Sequence, residues 1–247
     1  LVNFNYLYKQ TTNFMLMKSY ILLIVIALSY ILTFTSCSPV YIPNVAPTPM
    51  LSEKGDAKLD LNYGVSGFDP QLAYAVTDHL GILVNASFAD TDGSRDSGYY
   101  HRHNFIELGA GYFNKIGEKG LFSIYGGVGF GDISSSYSSG IINNPDLDTR
   151  QFRFFIQPSL GIKTDVYEGA IGARFVSLQL LDLNQGSVNY FLEPTITNKL
   201  GFKYGKVCLQ TGFAVPIMGS NFGYDYHPLM FSFGVELDIG KIIKSPK

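Results

Sequence analysis

Two closely spaced histidines are the first residues of this sequence that could do chemistry. His101 and His103 are separated by one residue, so in an extended strand their imidazole rings project to the same side and could meet one metal ion. A functional metal site needs three or four ligands with supporting partners, and two side chains of one strand do not supply them. We therefore predict exposed histidines at the rim of the fold and no metal site, with metal binding at His101 and His103 as the alternative.

Hydroxyl and carboxylate groups are concentrated in two polar stretches, DTDGSRDS at residues 90–97 and DISSSYSSG at residues 132–140. Beside the histidine pair these hydroxyls and carboxylates could form an enzyme site at the outer rim that acts on lipid or peptide. Such residues are also the ordinary content of loops. GGVGFGD, residues 126–132, lacks the G-x-G-x-x-G spacing and no helical pattern follows, so it predicts no nucleotide site. We expect a non-catalytic protein without a cofactor, and keep the enzyme as the alternative.

A third set of polar groups consists of charged residues embedded in alternating, largely apolar stretches. Each charged residue alternates with the apolar residues of its stretch, so in a strand it would point to the face opposite theirs. If the stretches are strands of a single barrel, all of these charged residues point to one interior. The set is Glu107, Arg153, Arg174, Glu193 and Glu236. Because buried charges must be paired, we predict an ion-pair network that plugs the lumen. The alternative is a gated polar path for water or small ions, as in a narrow porin-like pore.

The composition favours strands over helices and excludes some functions. The net charge is -2 and the pI is about 6.1, so no basic surface predicts binding to nucleic acid. Charged residues make up only 15% of the chain, against about 25% in average soluble domains. The 17 Tyr, 19 Phe and 26 Gly fit short strands with one apolar face.

Apolar residues alternate with polar ones from Gly55 onward, and this period of two predicts half-buried strands. In AKLDLNYG, residues 57–64, the leucines oppose Lys58 and Asp60. Pro158 and Pro194 fall inside expected strands, where each removes a donor from the hydrogen-bonding ladder. We expect about ten strands. They lie near residues 56–64, 70–77, 80–89, 101–114, 120–131, 150–163, 167–179, 189–199, 206–216 and 229–239.

The connections between these strands differ in length at the two ends. Tight turns such as Thr77–His79 alternate with long polar loops, of which residues 132–149 are the longest. Short turns at one end and long loops at the other are typical of outer-membrane barrels. The large apolar side chains on one face of the strands would overfill a narrow barrel interior. The small and polar side chains on the other face would fit it. We therefore predict an all-β, up-and-down antiparallel transmembrane barrel; the alternative is a soluble, lipid-anchored barrel or sandwich.

The N-terminal region predicts export and processing. Lys18 precedes the uncharged stretch YILLIVIALSYILTF, residues 20–34, which has the layout of a secretory signal peptide, with translation starting at Met15 or Met17. A permanent membrane helix, which needs roughly 20 apolar residues, is the alternative. We expect a signal peptide with an over-extended N-terminus at 1–36, a Pro-rich leader at 37–55, the barrel at 56–240 and a polar tail at 241–247.

FTSC, residues 34–37, resembles the lipobox of bacterial lipoproteins, in which a peptidase cuts before the cysteine and lipid is attached to it. The resemblance implies that Cys37 is the lipidated first residue of the mature chain. The alternative from the residues alone is a buried or disulfide-bonded cysteine.

Three stretches resemble a group of small outer-membrane β-barrel lipoproteins of Bacteroidota. They are SCSPVYIPN at 36–44, SEKGDAKLDLNYG at 52–64 and QLAYAVTDHLGILVNASF at 71–88. The resemblance implies the bacterial outer membrane as the location, with its lipid, the barrel-assembly machinery and the lipoprotein-processing machinery as partners. It implies no reaction and no catalytic residue, and it names no partner of the extracellular loops.

Overall fold

The structure is a computed structural model, and it describes residues 39–91, 99–139, 142–182, 188–217 and 225–244. The strands are β1 Ala57–Gly64, β2 Gly67–Ala75, β3 Leu80–Thr91, β4 Tyr99–Ile116, β5 Gly120–Ser139, β6 Ile142–Lys163, β7 Tyr167–Leu180, β8 Val188–Gly201, β9 Gly205–Phe213, β10 Val215–Pro216 and β11 Leu229–Asp238. A short helix, α1, spans Ile239–Lys244, at the start of the expected polar tail. Within the described ranges, no helix has the length and apolarity needed to cross a membrane.

The strands form one antiparallel sheet that closes on itself. Strands β1 to β8 pair in chain order, β8 also pairs with β9, and β9 pairs with β11. The ring closes between β1 and β11, where Leu59 lies opposite Leu237. The two residues of β10 continue β9 beyond Ala214 and pair with the same neighbour, β8. The fold is therefore a closed barrel of ten strands, which confirms the predicted all-β antiparallel barrel.

The two ends of the barrel carry different connections. One end, which we call the turn rim, has the connections 76–79, 117–119, 164–166 and 202–204. The other end, the loop rim, has the connections 92–98, 181–187 and 217–228. The loop rim also has two short connections, residues 65–66 between β1 and β2 and residues 140–141 between β5 and β6. At the first of them Gly67 adopts a φ of 89°, which a side chain would disfavour.

The longest predicted loop, residues 132–149, is mostly strand, so that expectation is wrong. β5 continues to Ser139 and β6 begins at Ile142, and Tyr137 lies opposite Asn144. The pairing shifts register between Ser135 and Tyr137, as in a β-bulge. A hairpin that extends beyond the apolar part of a barrel needs no apolar face, and its polar composition therefore resembles that of a loop.

Both mid-strand prolines lie where the ladder is interrupted. The β6–β7 pairing skips residues 157 and 158, so Pro158 faces a gap in that ladder. Pro194 also lies at an interruption of the ladder on the other side of β8. There Thr195 pairs with β9 and Leu192 pairs with β10, and the break between β9 and β10 lies between these two pairs. Each proline thus lacks a donor where the neighbouring strand provides no regular partner, which is how a closed barrel tolerates it.

The polar parity of the strands faces inward and the apolar parity faces outward. In β6, Arg153 and Gln157 are buried, whereas Phe154 and Ile156 are exposed. The same alternation holds along β11, where Glu236 is buried and its neighbours are exposed. This is the reverse of a soluble barrel, in which the apolar parity fills the interior.

Candidate functional site

The interior of the barrel is filled by the stretch of chain that precedes β1. Residues 39–51, PVYIPNVAPTPML, are all buried and contain no helix and no strand. Their side-chain partners on the wall are Gln71, Glu107, Arg153, Gln157, Lys163, Arg174, Glu193 and Gln210. These partners belong to six strands distributed around the ring, so the stretch lies within it. We call residues 39–52 the luminal segment. This part of the expected Pro-rich leader, residues 37–55, fills the interior of the barrel.

Amide side chains of the wall satisfy the backbone of the luminal segment. Ala46 N donates to Gln210 Oε1 at 2.8 Å, and Ala46 O accepts from Gln210 Nε2 at 2.8 Å. Gln71 Nε2 donates to Val45 O at 2.6 Å, and Gln157 Nε2 donates to Pro47 O at 2.6 Å. Buried backbone polar groups need such partners, and side chains of the wall supply several of them to this irregular segment.

Prolines reduce the number of partners that the luminal segment requires. They are Pro39, Pro43, Pro47 and Pro49. Proline has no N–H, so four residues of the segment bring no donor into the lumen. Prolines also favour an extended backbone with a rise of about 3.1 Å per residue, which lets a few residues cover a long path.

Glycines of the wall make room for the end of the luminal segment. A Cβ on Gly81 would lie 2.8 Å from Leu51 Cδ1 and 2.9 Å from Tyr125 Oη. A Cβ on Gly161 would lie 2.6 Å from Met50 Cε. Gly81 and Gly161 therefore have a packing reason, because larger side chains at these two positions would occupy the volume of the segment.

Asn44 of the luminal segment is held by three charged side chains of the wall. Its Oδ1 accepts from Arg153 Nη1 at 2.8 Å and from Arg174 Nη2 at 2.9 Å, and its Nδ2 donates to Glu107 Oε2 at 2.9 Å. Its carbonyl accepts from Arg174 Nη2 at 3.0 Å. Three charged side chains thus converge on one neutral amide, whose oxygen and nitrogen match cation and anion respectively.

The charges around Asn44 are paired with one another. Arg174 Nε donates to Glu193 Oε2 at 2.7 Å, and Arg174 Nη1 lies 3.5 Å from Glu107 Oε2. Tyr41 Oη donates to the other oxygen of Glu193. The guanidinium of Arg153 lies 4.8 Å from the ring centroid of Tyr41, close enough for a cation–π interaction. We call these residues, with Asn44, the Asn44 cluster.

Glu236, the fifth residue of the predicted network, belongs to a second cluster nearer the turn rim. Its Oε1 accepts from Lys58 Nζ at 2.9 Å and its Oε2 accepts from Lys199 Nζ at 2.7 Å. Lys199 also contacts Asp60 at 3.1 Å, and Lys206 contacts Glu168 at 2.9 Å. We call this set the lysine cluster. Glu236 is therefore separated from Arg153 and Arg174 into another group, because closure of β11 onto β1 brings it beside Lys58 and Asp60.

Lys199 and Lys206 are lumen residues that the sequence interpretation did not include. They lie on the inward parity, as Glu193 and Gln210 do on the same two strands. Their position close to strand ends gives them the appearance of turn residues. Continuing the parity to the ends of β8 and β9 would have identified both.

Two gaps beside residues 43–46 of the luminal segment are small. A space of about 10 Å³ lies beside Val45 and Ala46 and reaches Cys208, and another of about 10 Å³ lies beside Pro43 and Met230. A site for one water needs about 10–15 Å³ on this measure. Each gap is therefore too small for a ligand, and the luminal segment closes the lumen around these points.

The histidine pair is buried at the loop-rim end of β4, not exposed. His101 Nε2 lies 2.8 Å from His103 Nδ1, and His103 Nε2 lies 2.8 Å from Ser87 Oγ. Ser87 Oγ also donates to Ser66 O at 3.4 Å. In the Ser87–His103 bond either Ser87 Oγ or His103 Nε2 can be the donor, depending on the tautomer of His103. The expectation of exposed histidines is wrong.

Few other groups join the histidines. Within the described ranges, no cluster of three or more His, Cys, Asp or Glu could hold a metal ion. His227 is buried near the loop rim, where its Nδ1 lies 2.8 Å from Leu229 O, and burial lowers its pKa although this hydrogen bond opposes the shift. His79, at the turn rim, stacks on Tyr112.

Other predicted elements lie outside the described residues. They are Cys37, the signal stretch 20–34 and the loop residues 92–98. Of the acids expected near the histidines, Asp90 pairs with Arg102 at 3.0 Å in an exposed position.

Comparisons with known proteins add no family or activity. The chain matches no protein-family model, no curated protein and no solved structure.

Proposed function

We propose that the protein is a non-catalytic lipoprotein of the bacterial outer membrane. It spans the membrane as a β-barrel, carries lipid on Cys37, and is closed by its own luminal segment. Its loop rim faces the cell exterior. The loops at this rim make contact with an extracellular partner or help to maintain the integrity of the cell envelope. The membrane lipid, the barrel-assembly machinery and the lipoprotein-processing machinery are its partners.

The observation that carries this proposal is the exposed apolar belt around the barrel. Leu108, Ile171 and Val207 are 56%, 59% and 64% exposed, and large apolar residues of the other long strands are exposed as well. Soluble monomers rarely expose contiguous apolar patches larger than a few hundred Å². A belt that runs around a whole barrel, with the charges inside, matches a lipid environment.

Exposed aromatic residues near both rims add support. Phe68, Phe88, Phe130, Tyr190 and Phe231 lie toward the loop rim. Tyr74, Tyr112, Phe202 and Tyr204 lie toward the turn rim. Aromatic girdles at the two membrane interfaces are typical of outer-membrane barrels.

Lipidation of Cys37 rests on the sequence. The apolar stretch and FTSC fit a lipoprotein signal. Acyl chains contribute about 0.8 kcal/mol for each buried methylene, so several chains would anchor the chain independently of the barrel.

A single position tests the membrane assignment. Phe154 is 46% exposed and lies centrally in β6, so Phe154→Arg should reduce the amount of folded barrel in the outer-membrane fraction. An arginine facing lipid at mid-depth costs about 2–4 kcal/mol. Phe154→Leu is the matched control and should assemble normally. Equal assembly of the arginine and leucine variants would show that this face does not meet lipid.

Lipidation has its own test. Cys37→Ala should abolish incorporation of a palmitate analogue and leave a heavier precursor. Unchanged labelling or unchanged mass would contradict the lipid anchor.

A second candidate function is hydrolysis of lipid or peptide at the loop rim. It is favoured only by the hydrogen-bonded series Ser87, His103 and His101. A fluorophosphonate probe should label an activated serine and lose that label in Ser87→Ala. Absence of labelling in the folded protein would remove this candidate and leave the non-catalytic one.

A further inference from the structure

The luminal segment has a defined direction through the barrel. At its start, Val40 N donates to Asp225 O at 2.8 Å and His227 N donates to Tyr41 O at 2.8 Å. Both partners lie in the connection between β10 and β11, which belongs to the loop rim. The segment therefore begins at the loop rim.

The same stretch of chain ends at the opposite rim. Lys54 N donates to Asp78 Oδ1 at 2.9 Å, and Gly55 N donates to Ala75 O at 2.9 Å. Asp78 lies in the connection between β2 and β3 at the turn rim, where β1 begins. The chain has thus crossed the full height of the barrel before its first strand.

Length and topology agree with a complete crossing. Residues 39–51 at about 3.1 Å per residue extend about 40 Å, whereas a hydrocarbon core is about 30 Å thick. Ten strands alone would leave both ends of a barrel chain on the same side. The luminal segment adds one more crossing, so Pro39 lies at the loop rim while α1 follows β11 at the turn rim.

We propose that the luminal segment is an additional membrane crossing that delivers the N-terminus of the mature protein, with its lipid, to the extracellular side. Cys37 precedes Pro39 by two residues, and two residues span at most about 7 Å. A lipid on Cys37 would consequently insert into the outer leaflet beside the loop rim, not into the periplasmic leaflet. This inference rests on the proposed membrane orientation and on the proposed lipidation.

The contacts that hold the crossing segment come from several strands of the ring. Asn44 is held by side chains of β4, β6 and β7, and the ring around it closes only when β11 pairs with β1. The hydrogen bonds that hold the segment therefore lie within a ring that is complete only in the closed barrel.

Cysteine accessibility on intact cells tests the direction of the crossing. Ser38→Cys and Glu53→Cys mark the two ends of the crossing, and Asp90→Cys and Glu118→Cys mark the loop rim and the turn rim independently. The probe is a membrane-impermeant maleimide. The native Cys208 is buried, so we expect it not to react with this probe. We expect Ser38→Cys and Asp90→Cys to react on intact cells, and Glu53→Cys and Glu118→Cys to react only after the outer membrane is permeabilised.

The outcomes separate the inference from the function on which it rests. If Asp90→Cys reacts and Glu118→Cys is protected, but Ser38→Cys reacts only after permeabilisation, the barrel orientation stands and the delivered N-terminus is refuted. If the two rim markers are reversed, both the orientation and the inference fail. If palmitate labelling does not depend on Cys37, the lipid part of the inference fails together with the lipidation.

A protease site inserted between Ser38 and Pro39 gives a second readout that does not depend on thiol reactivity. External protease should cleave it on intact cells, while the palmitate label remains with the membrane and separates from the barrel fragment. The same site inserted after Gly117, in a turn-rim connection, is the control and should resist. Resistance of the N-terminal site under conditions that cleave a site placed in 183–187 would overturn the inference.

Discussion

Asn44→Ala should strongly destabilise the closed barrel. The Asn44 side chain makes three hydrogen bonds of 2.8–2.9 Å, to Arg153, Arg174 and Glu107, and all three partners are at least 98% buried. A hydrogen bond to a charged group contributes about 1.5–3 kcal/mol, so the sum of three is about 4.5–9 kcal/mol. Water that enters the space left by the amide recovers part of this. We expect a net loss of about 3–5 kcal/mol.

The assay is the temperature at which the folded barrel in detergent converts to the slower, unfolded band on a gel. For a chain of this size, 1 kcal/mol corresponds to about 2–4 °C, so Asn44→Ala should melt at least about 6 °C below the parent protein. Val45→Ala is the matched control, because it shortens the adjacent buried residue without removing a side-chain polar group. Its loss should be about 2 kcal/mol or less.

Asn44→Asp separates charge from shape at the same position. The carboxylate keeps an acceptor for Arg153 and Arg174 but loses the donor to Glu107 and adds a like charge beside it. Its melting temperature should therefore fall between those of the parent and Asn44→Ala. If Asn44→Ala melts no earlier than Val45→Ala, the three hydrogen bonds do not hold the luminal segment and the reasoning is refuted.

Three other perturbations test other parts of the structure. Glu193→Ala leaves Arg174 buried without its closest carboxylate and should cost about 3–5 kcal/mol, whereas Glu193→Gln should lose less; equal melting of both with the parent would argue against the pair. Deletion of residues 40–51 should give a stepwise conductance in planar bilayers that the parent lacks, and a silent deletion variant that is folded would show that the segment is not the plug. Burial alone would raise the pKa of Asp56, but Lys163 and the hydrogen bonds from Ser52 lower it overall. Its contribution to stability is therefore complete above the unfolded pKa of about 3.9 and is lost as the pH falls through the lower folded pKa. Heat resistance of the parent should decline over that acid range more than that of Asp56→Asn, and parallel pH profiles would contradict this assignment.

The strands and their two faces are readable from the sequence because both depend on local geometry. Successive side chains of an extended backbone point to opposite sides, so the alternation around Arg153 and Phe154 already separates the inside from the outside. The limits of the strands were predicted less well where no apolar face is needed. The hairpin that joins β5 and β6 at residues 132–149 is the clearest example.

The contents of the lumen depend on closure of the ring, which no local pattern encodes. Asn44 and Arg174 are 130 residues apart in the chain, and Lys58 and Glu236 are 178 apart. Residues 39–51 have neither a helical nor a strand period, so their composition predicts only an extended, proline-rich stretch. Its place inside the barrel follows from hydrogen-bonding groups that six strands supply together. The sequence by itself therefore determined the strands and their polar and apolar faces, whereas only the tertiary structure decided what the polar face encloses, because burial of an irregular backbone requires partners that come together when the barrel closes.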